Sequence, residues 1–220
     1  MPAALWPRDR SVDPAMRNDS FRPPVALTGR YVELVPLAPE QASELLPIFQ
    51  RPEVTQFLRI GPIRNLEAMT QVVRDLLEAQ ASGSDLPFTT RLRATGRVVG
   101  ATRFLRIDRS NETVEIGGTS IDPDFWRTPV NTDAKLAMFR YAFEKEGAHR
   151  VQLQTDARNE RSQRAIARLG AVREGILRED VLLLDGHRRS SVYFSVLASE
   201  WPAVRQRLGE FLAPPWTPPA

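Results

Sequence analysis

The chain has 220 residues, 42% of them hydrophobic, which is enough for one ordinary hydrophobic core. It contains no cysteine, which excludes disulfides, thiolate metal sites and cysteine nucleophiles. The net charge is +3 and basic residues form no continuous block, so we do not expect a nucleic-acid partner. No apolar run reaches the roughly 20 residues of a membrane span, and the N-terminus lacks a signal-peptide pattern. These features predict a cytoplasmic protein that does not bind a membrane.

Both ends of the chain differ in composition from its middle. Residues 1–24 are rich in proline and arginine and show no periodicity, which predicts an N-terminal arm. Residues 213–220 are rich in proline, which lacks a backbone donor, and this predicts a tail outside any helix or central strand. A single domain is expected over residues 25–212.

The first half of this domain predicts one strand, two helices and three strands. Their predicted ranges are 30–36 (strand), 39–49 and 66–81 (helices), and 88–92, 97–107 and 114–121 (strands). The second half predicts a helix, a strand, a helix, a hairpin and a last helix, over 132–146, 150–155, 160–169, 172–184 with 189–197, and 201–212. Seven strands with helical crossovers predict an α/β fold of the α+β type, with a mixed sheet flanked by helices.

The most informative segment runs from Val114 to Ala134, where a strand leads through a loop into a helix. The free amides and the dipole of a helix N-terminus favour a phosphate or pyrophosphate. Arg127 adds a positive charge, and Thr132 is placed to cap the helix or to bond a phosphate oxygen. Since every helix has such an N-terminus, physical reasoning alone favours an ordinary capped helix.

The paired glycines Gly117 and Gly118 lie inside the strand that precedes this loop. Glycine inside a strand predicts a β-bulge or the close approach of a ligand. The alternative is a packing requirement against an aromatic side chain.

Two motifs carry a resemblance to a known family. Trp126 precedes Thr132-Asp133-Ala134, and the segment 150–162 follows, ending with Asn159 and Ser162. Over residues 27–208 the chain resembles the GNAT N-acetyltransferase superfamily, in the branch of the ribosomal-protein N-terminal acetyltransferases RimJ and RimL. The resemblance implies a mostly antiparallel sheet, splayed where it holds acetyl-CoA as co-substrate, and no metal.

The resemblance also implies which residues bind acetyl-CoA. Its pyrophosphate is expected at residues 127–132, although Pro129 stands at the usual glycine position and removes one amide donor. Asn159 is expected to contact the pantetheine arm, and backbone amides of the splayed strand to polarise the thioester carbonyl. The full expected set is Thr119, Ser120, Ile121, Arg127, Thr128, Val130, Asn131, Thr132, Asn159 and Ser162.

Two residues are expected to move protons. Glu115, on the strand beside the co-substrate, is the first choice for the general base, and Asp156 is the second. Ser162 is implied as the acid for the departing thiolate, since the usual tyrosine would fall near Ile166. The alternatives are that Glu115 is the polar member of an alternating strand, that Asn159 caps a helix, and that Ser162 is solvated.

We therefore expect an acetyl-CoA-dependent N-acyltransferase that acts by direct attack in a ternary complex. The acceptor is a primary amine, either a protein N-terminus or a small molecule. The alternative is a non-catalytic acyl-CoA-binding or regulatory module. The only histidines, His149 and His187, are far apart in sequence, which disfavours a histidine metal centre. By analogy with related folds, a homodimer is a further expectation.

Overall fold

The structure is a computed structural model that describes residues 20–23, 25–61 and 63–219. The strands are β1 (Leu27–Thr28), β2 (Val32–Pro36), β3 (Leu86–Leu92), β4 (Val98–Asp108), β5 (Thr113–Ile121), β6 (Arg150–Asp156), β7 (Val172–Leu182) and β8 (Arg188–Leu197). The α-helices are α1 (Ala42–Phe49), α2 (Pro52–Thr55), α3 (Leu66–Ala81), α4 (Val130–Arg140), α5 (Glu160–Arg168) and α6 (Trp201–Leu212).

All strands belong to one sheet in the order β1-β2-β3-β4-β5-β6-β8-β7. Neighbouring strands are antiparallel except β5 and β6, which run parallel because α4 crosses between them. The mixed, mostly antiparallel α/β fold is therefore confirmed, with eight strands rather than the predicted seven. The additional strand, β1, has two residues and is too short to show a periodicity in sequence.

The helices cover the two faces of the sheet unequally. On one face α4, α5 and α6 bury the larger core, which includes Phe104 of the sheet and Met138 of α4. On the other face α1 and α3 bury a smaller core around Leu45 and Met69. This second layer leaves the β6–β8 part of its face to polar side chains.

Strands β5 and β6 pair over only three positions, from Thr113 opposite Arg150 to Glu115 opposite Gln152. Both strands continue beyond that point, so they separate and leave a splayed cleft between their C-terminal halves. Strand β5 also bulges at Gly118, which has a φ of 57°, and its register with β4 shifts there. The bulge that Gly117-Gly118 predicted is confirmed.

The helix that follows this loop is shorter than its predicted range. It begins at Val130, directly after Pro129, and it ends at Arg140. A wider π-type turn then continues over Tyr141–Lys145. Helices α3 and α6 have the predicted bounds, whereas the single turn of α2 was not predicted.

Segments near both ends of the described chain pack on the domain. The ring of Phe21 contacts Phe104 and Tyr141 edge-on, and its amide donates to Glu146. In the predicted tail, Trp216 packs edge-on against Tyr31. Residues 1–19 and 24 of the predicted arm lie outside the described residues. No helix in the described part of the chain is long and apolar enough to cross a membrane.

Candidate active site

The N-terminus of α4 opens towards the cleft that β5 and β6 leave. Among the described residues, the backbone amides of Asn131 and Thr132 have no acceptor, and the Val130 amide makes only a 3.4 Å contact with Thr128 Oγ1. Pro129 precedes the helix and contributes no donor. The site therefore offers a short row of amides and the positive end of a helix dipole, which suits an anion.

A guanidinium from another helix lies beside these amides. Arg168 of α5 donates from Nη1 to Thr132 Oγ1 at 3.2 Å, and its Cζ lies 4.1 Å from the centroid of the Phe211 ring. The position of Arg168 at this site was not predicted from the sequence, because no motif marks the residue and only the fold brings it to α4. Arg127, which was predicted here, is exposed and has a φ of 63°, in the left-handed region that glycine favours.

Two further predicted residues of this loop have side chains with defined surroundings. Thr128 donates its hydroxyl to the Phe125 carbonyl at 2.7 Å, so only its backbone amide remains as a donor for a ligand. Asn131 Oδ1 is buried without a donor among the described residues. A buried polar atom without a partner is uncommon in proteins and is consistent with a position that a ligand completes.

The bulged half of β5 forms one wall of the cleft. Thr119 turns its hydroxyl towards α4, 2.9 Å from Thr102 Oγ1 and 2.6 Å from Lys135 Nζ. Ser120 Oγ is buried without a partner among the described residues, and the Ile121 carbonyl accepts from Trp126 Nε1 at 2.9 Å. Within the described part of the chain, the β5 edge that faces β6 beyond Glu115 has no strand partner, so a ligand can pair with it.

Lys135 lies beneath this wall and was not singled out from sequence, although it is one of only two lysines in the chain. Its ammonium group contacts the hydroxyls of Thr102 and Thr119, and within the described chain it forms no ion pair. Burial lowers the pKa of Lys135 to about 7, because a charged amine is poorly solvated there.

Asp133, two residues earlier on the same helix, has a structural role. Its carboxylate is buried and accepts from the backbone amides of Arg30 at 2.9 Å, Tyr31 at 2.7 Å and Val32 at 2.9 Å. These bonds attach the first turn of α4 to the loop that leads into β2. The acidic residue of the Thr132-Asp133-Ala134 motif therefore positions the helix and does not face the cleft.

Glu115 lies at the point where β5 and β6 separate. Its carboxylate is 3% exposed and accepts from Arg106 Nη1 at 3.0 Å and from Gln152 Nε2 at 2.9 Å. Gln154 Nε2 bridges both carboxylate oxygens, at 2.9 and 3.0 Å. An open cavity of about 700 Å³ borders Glu115 and Gln152 towards the β4–β5 turn. The Glu115 carboxylate is thus fixed by hydrogen bonds from three side chains and lies beside a cavity large enough for water.

Asp156, the second choice for a base, is buried and pairs with Arg158. Arg158 contacts its carboxylate through the backbone amide at 2.8 Å, Nε at 3.0 Å and Nη2 at 2.7 Å. Burial raises the pKa of Asp156, but the hydrogen bonds and charge of Arg158 outweigh it and hold that pKa below its ordinary value. A lower pKa makes the Asp156 carboxylate a weaker proton acceptor.

The N-terminus of α5 forms the opposite wall. Asn159 Oδ1 accepts from the Ser162 amide at 3.0 Å, so Asn159 caps this helix, and Ser162 is half-buried on its first turn. Ile166, near the usual position of the tyrosine, is buried in the core. Arg161, which sequence analysis missed, stacks with its Cζ 3.5 Å from the centroid of the Trp126 ring and so links both walls.

The structure thus places the predicted residues around one cleft. Glu115 lies at its base, residues 119–121 and the start of α4 along one side, and Asn159 with Ser162 along the other. In the described part of the chain no group of three or more His, Asp or Glu side chains is arranged to hold a metal ion.

A family model described as an acetyltransferase (GNAT) domain matches residues 32–172. The uncharacterized N-acetyltransferase p20 of Bacillus licheniformis is 28% identical over 179 residues, which cover 80% of this chain and 94% of p20. A GCN5-related N-acetyltransferase structure from Brucella melitensis has 31% identity and a TM-score of 0.80, over 90% of this chain and 91% of that one.

The structure of RimJ from Mycobacterium smegmatis in complex with CoA-disulfide shares the fold, with a TM-score of 0.75 and 19% identity over 86% of this chain and 95% of that one. At this identity the likeness shows the shared fold. Because the family model spans more than half of the chain, the chain belongs to the GNAT acetyltransferase family, and its enzyme class is that of the acetyl-CoA-dependent N-acyltransferases.

Proposed function

We propose that this chain transfers an acetyl group from acetyl-CoA to a primary amine by direct attack in a ternary complex. The observation that carries the proposal is the splay of β5 and β6 beyond Glu115, which opens between a helix N-terminus with free amides and a second, capped helix. The substrate amine would be either a protein N-terminus or a small molecule.

The residues of this cleft fit acetyl-CoA. The amides of Val130, Asn131 and Thr132 would bind the pyrophosphate, with Arg168 and Arg127 supplying positive charge. The unpaired β5 edge would pair with the pantetheine arm, and Asn159 would contact it from the other side. The backbone amides of residues 119–121 would polarise the thioester carbonyl.

The chain's own residues then have three tasks. Glu115, through a water molecule, takes the proton from the amine as its nitrogen bonds to the acetyl carbon. Backbone amides of β5 stabilise the negative charge that develops on the carbonyl oxygen. As the carbon–sulfur bond breaks, Ser162 or water supplies a proton to the sulfur. No covalent enzyme intermediate forms, because the chain has no cysteine and no serine–histidine pair lies in this cleft.

Replacing Glu115 by Gln tests the assignment of the base. The amide keeps the shape of the side chain but accepts no proton, so kcat should fall by about 100-fold or more and the pH–rate profile should lose its acidic limb. Thiol release from acetyl-CoA measures the rate. The KM for acetyl-CoA should stay unchanged, and the exposed Glu40→Gln variant serves as the control. An unaltered profile in Glu115→Gln would remove Glu115 from this role.

A second candidate function is a non-catalytic acyl-CoA-binding module. It is favoured by Pro129, which removes one amide, and by Ile166, which replaces the usual acid with a buried aliphatic side chain. Calorimetry with CoA and thiol release across a panel of amines separate the two functions. Binding of CoA without turnover of any amine would support the module and overturn the enzyme.

Further expectations follow from the chain's relatives. One Bacillus subtilis relative, YdaF, carries the name of a ribosomal N-acetyltransferase and is 32% identical over 106 residues, which cover 48% of this chain and 57% of YdaF. That name motivates a protein N-terminus as the first acceptor to assay. A homodimer and a cytoplasmic location stay predictions.

A further inference from the structure

Two arginine side chains without a carboxylate partner face the sheet beside Glu115. Arg189 of β8 is 5% exposed, and its hydrogen bonds on this face go to neutral acceptors: Nε donates to Ser191 Oγ at 3.1 Å and Nη1 to the Phe57 carbonyl at 3.4 Å. Arg59 donates from Nη2 to Gln154 Oε1 at 3.4 Å. Within the described chain, neither guanidinium lies within salt-bridge distance of a carboxylate.

The other charged groups of this face are already paired. Arg103 lies 3.0 Å from Asp85, Arg106 lies 3.0 Å from Glu115, and Arg158 lies 2.7 Å from Asp156. The Asp156 and Asp180 carboxylates attract Arg189 only at longer range, and the Tyr193 hydroxyl donates to Asp180 at 3.4 Å. Among the described residues, Arg59 and Arg189 are therefore the positive charges of this face that form no salt bridge.

The positive charges of Arg59 and Arg189 also repel each other. Burial lowers the pKa of the Arg189 guanidinium, and the charge of Arg59 lowers it further. Arg189 is desolvated whereas Arg59 is exposed, and a desolvated charge beside a like charge destabilises a fold unless an anion joins them. The planar guanidinium groups of the two arginines can each donate two hydrogen bonds to the oxygens of a carboxylate.

A single amide connects Arg59 to the proposed base. Gln154 donates from Nε2 to Glu115 and accepts at Oε1 from Arg59, so it lies between the carboxylate and the guanidinium. The segment from Phe57 to Arg59 crosses the ends of β6 and β8 and covers this part of the face. A substituent on an amine delivered to Glu115 would extend past Gln154 towards Arg59 and, further along β8, towards Arg189.

We propose that Arg59 and Arg189 form a carboxylate-binding subsite, and that the acceptor is a primary amine carrying a carboxylate a few bonds from its nitrogen. This inference rests on the proposed acetyl transfer and narrows its substrate class. Such a carboxylate occurs in free amino acids and in acidic side chains close to a peptide N-terminus, and both present the same group to the two arginines.

Matched acceptors test the subsite. One pair is γ-aminobutyrate and its amide, and the other is the peptide amides Ser-Glu-Ala and Ser-Gln-Ala, with thiol release from acetyl-CoA as the assay. We expect kcat/KM to be at least 10-fold higher for the carboxylate member of one pair, and the pair that shows it distinguishes a free amino acid from a peptide. Equal values within both pairs would overturn the subsite.

Variants connect this preference to the two side chains. Arg189→Gln and the exposed Arg59→Gln should raise KM for the carboxylate acceptor about 10-fold and leave KM for its amide and for acetyl-CoA unchanged. Arg64→Gln, an exposed arginine of the same loop, is the matched control. Arg59→Gln keeps the test valid if the buried Arg189 variant fails to fold. Equal effects on both members of a pair would contradict the proposal.

Direct binding separates this proposal from the proposed function. Calorimetric titration of γ-aminobutyrate and of Ser-Glu-Ala amide into the CoA-saturated protein does not require turnover. Binding that is lost in Arg59→Gln, with no turnover of any amine, would keep the carboxylate subsite and overturn acetyl transfer. Turnover of neutral amines with no binding of either carboxylate probe would keep acetyl transfer and overturn the subsite.

Discussion

The two faces of β5 carry buried charges of different kinds. On the α4 face, Asp133 accepts three backbone amides and Lys135 contacts two threonine hydroxyls. Both side chains are buried, and among the described residues no carboxylate lies beside the ammonium group. On the opposite face, Glu115 is also buried, but it pairs with Arg106 and borders an open cavity.

This difference separates structural charges from a charge that can exchange protons. A buried carboxylate that accepts backbone amides connects the segments that donate them. A buried amine destabilises the fold in its charged form. A carboxylate that is held in place yet reachable by water can serve as a base. Changes on the α4 face should therefore alter stability first, whereas changes at Glu115 should alter the rate.

The largest effect on stability is expected for Asp133→Ala. The substitution leaves the amides of Arg30, Tyr31 and Val32 without their acceptor, at a cost of about 4 kcal/mol in the free energy of unfolding. Urea denaturation measures the loss, and Asp133→Asn should recover part of it through its remaining carbonyl oxygen. A loss below about 1 kcal/mol for the alanine variant would show that these bonds do not anchor α4.

Lys135→Met is expected to stabilise the protein at neutral and acidic pH. A pKa of about 7 means that the folded protein binds fewer protons than the unfolded chain between pH 7 and the ordinary lysine value of 10.5. Stability of the native chain should therefore rise with pH in that window, by about 1.4 kcal/mol per unit, and its deficit is complete below pH 7.

The methionine variant should lack this slope and be more stable by about 2–4 kcal/mol at pH 6.5, after the loss of the bonds to both threonines. Urea denaturation of both proteins from pH 6.5 to 9.5 makes the comparison and stays below the range where tyrosines ionise. Parallel stability curves would refute a neutral Lys135 on the α4 face.

Gly118 lies at the bulge of β5. Of these three substitutions, Gly118→Ala should change the free energy of unfolding least. Its φ of 57° disfavours a side chain by about 1 kcal/mol, while the added Cβ would meet Arg103 side-chain atoms at 3.4 to 3.5 Å, an ordinary contact. Because the bulge shapes the proposed pantetheine edge, KM for acetyl-CoA should rise as well. Gly96→Ala, at a left-handed glycine in the β3–β4 turn, controls for strain alone. An equal KM in both variants would separate the bulge from the co-substrate.

The elements of this fold were largely predictable because their signals are local. Helix α3 shows apolar residues at helical spacing and has Asn65 as its cap, so its predicted and observed bounds agree. The strand, loop and helix of the candidate site were also found, since the Gly117-Gly118 pair and the resemblance marked them. The predicted identities of the co-substrate residues stay predictions.

The side-chain surroundings that could not be predicted from sequence depend on the bulge and on contacts between residues far apart in the chain. Strict alternation places Thr119 on the same face as Glu115, but the extra residue at Gly118 reverses the alternation and turns Thr119 towards Lys135. The environment of Lys135 therefore follows from a backbone irregularity. Arg168 and the Arg59–Arg189 pair come together only through contacts between elements far apart in sequence.

A crystal structure with acetyl-CoA bound would show where the co-substrate lies. We predict that the pyrophosphate lies on the amides of Val130, Asn131 and Thr132, and that the thioester lies in the splay between Glu115 and Ser162. A pyrophosphate bound anywhere else, or a thioester outside this splay, would contradict it.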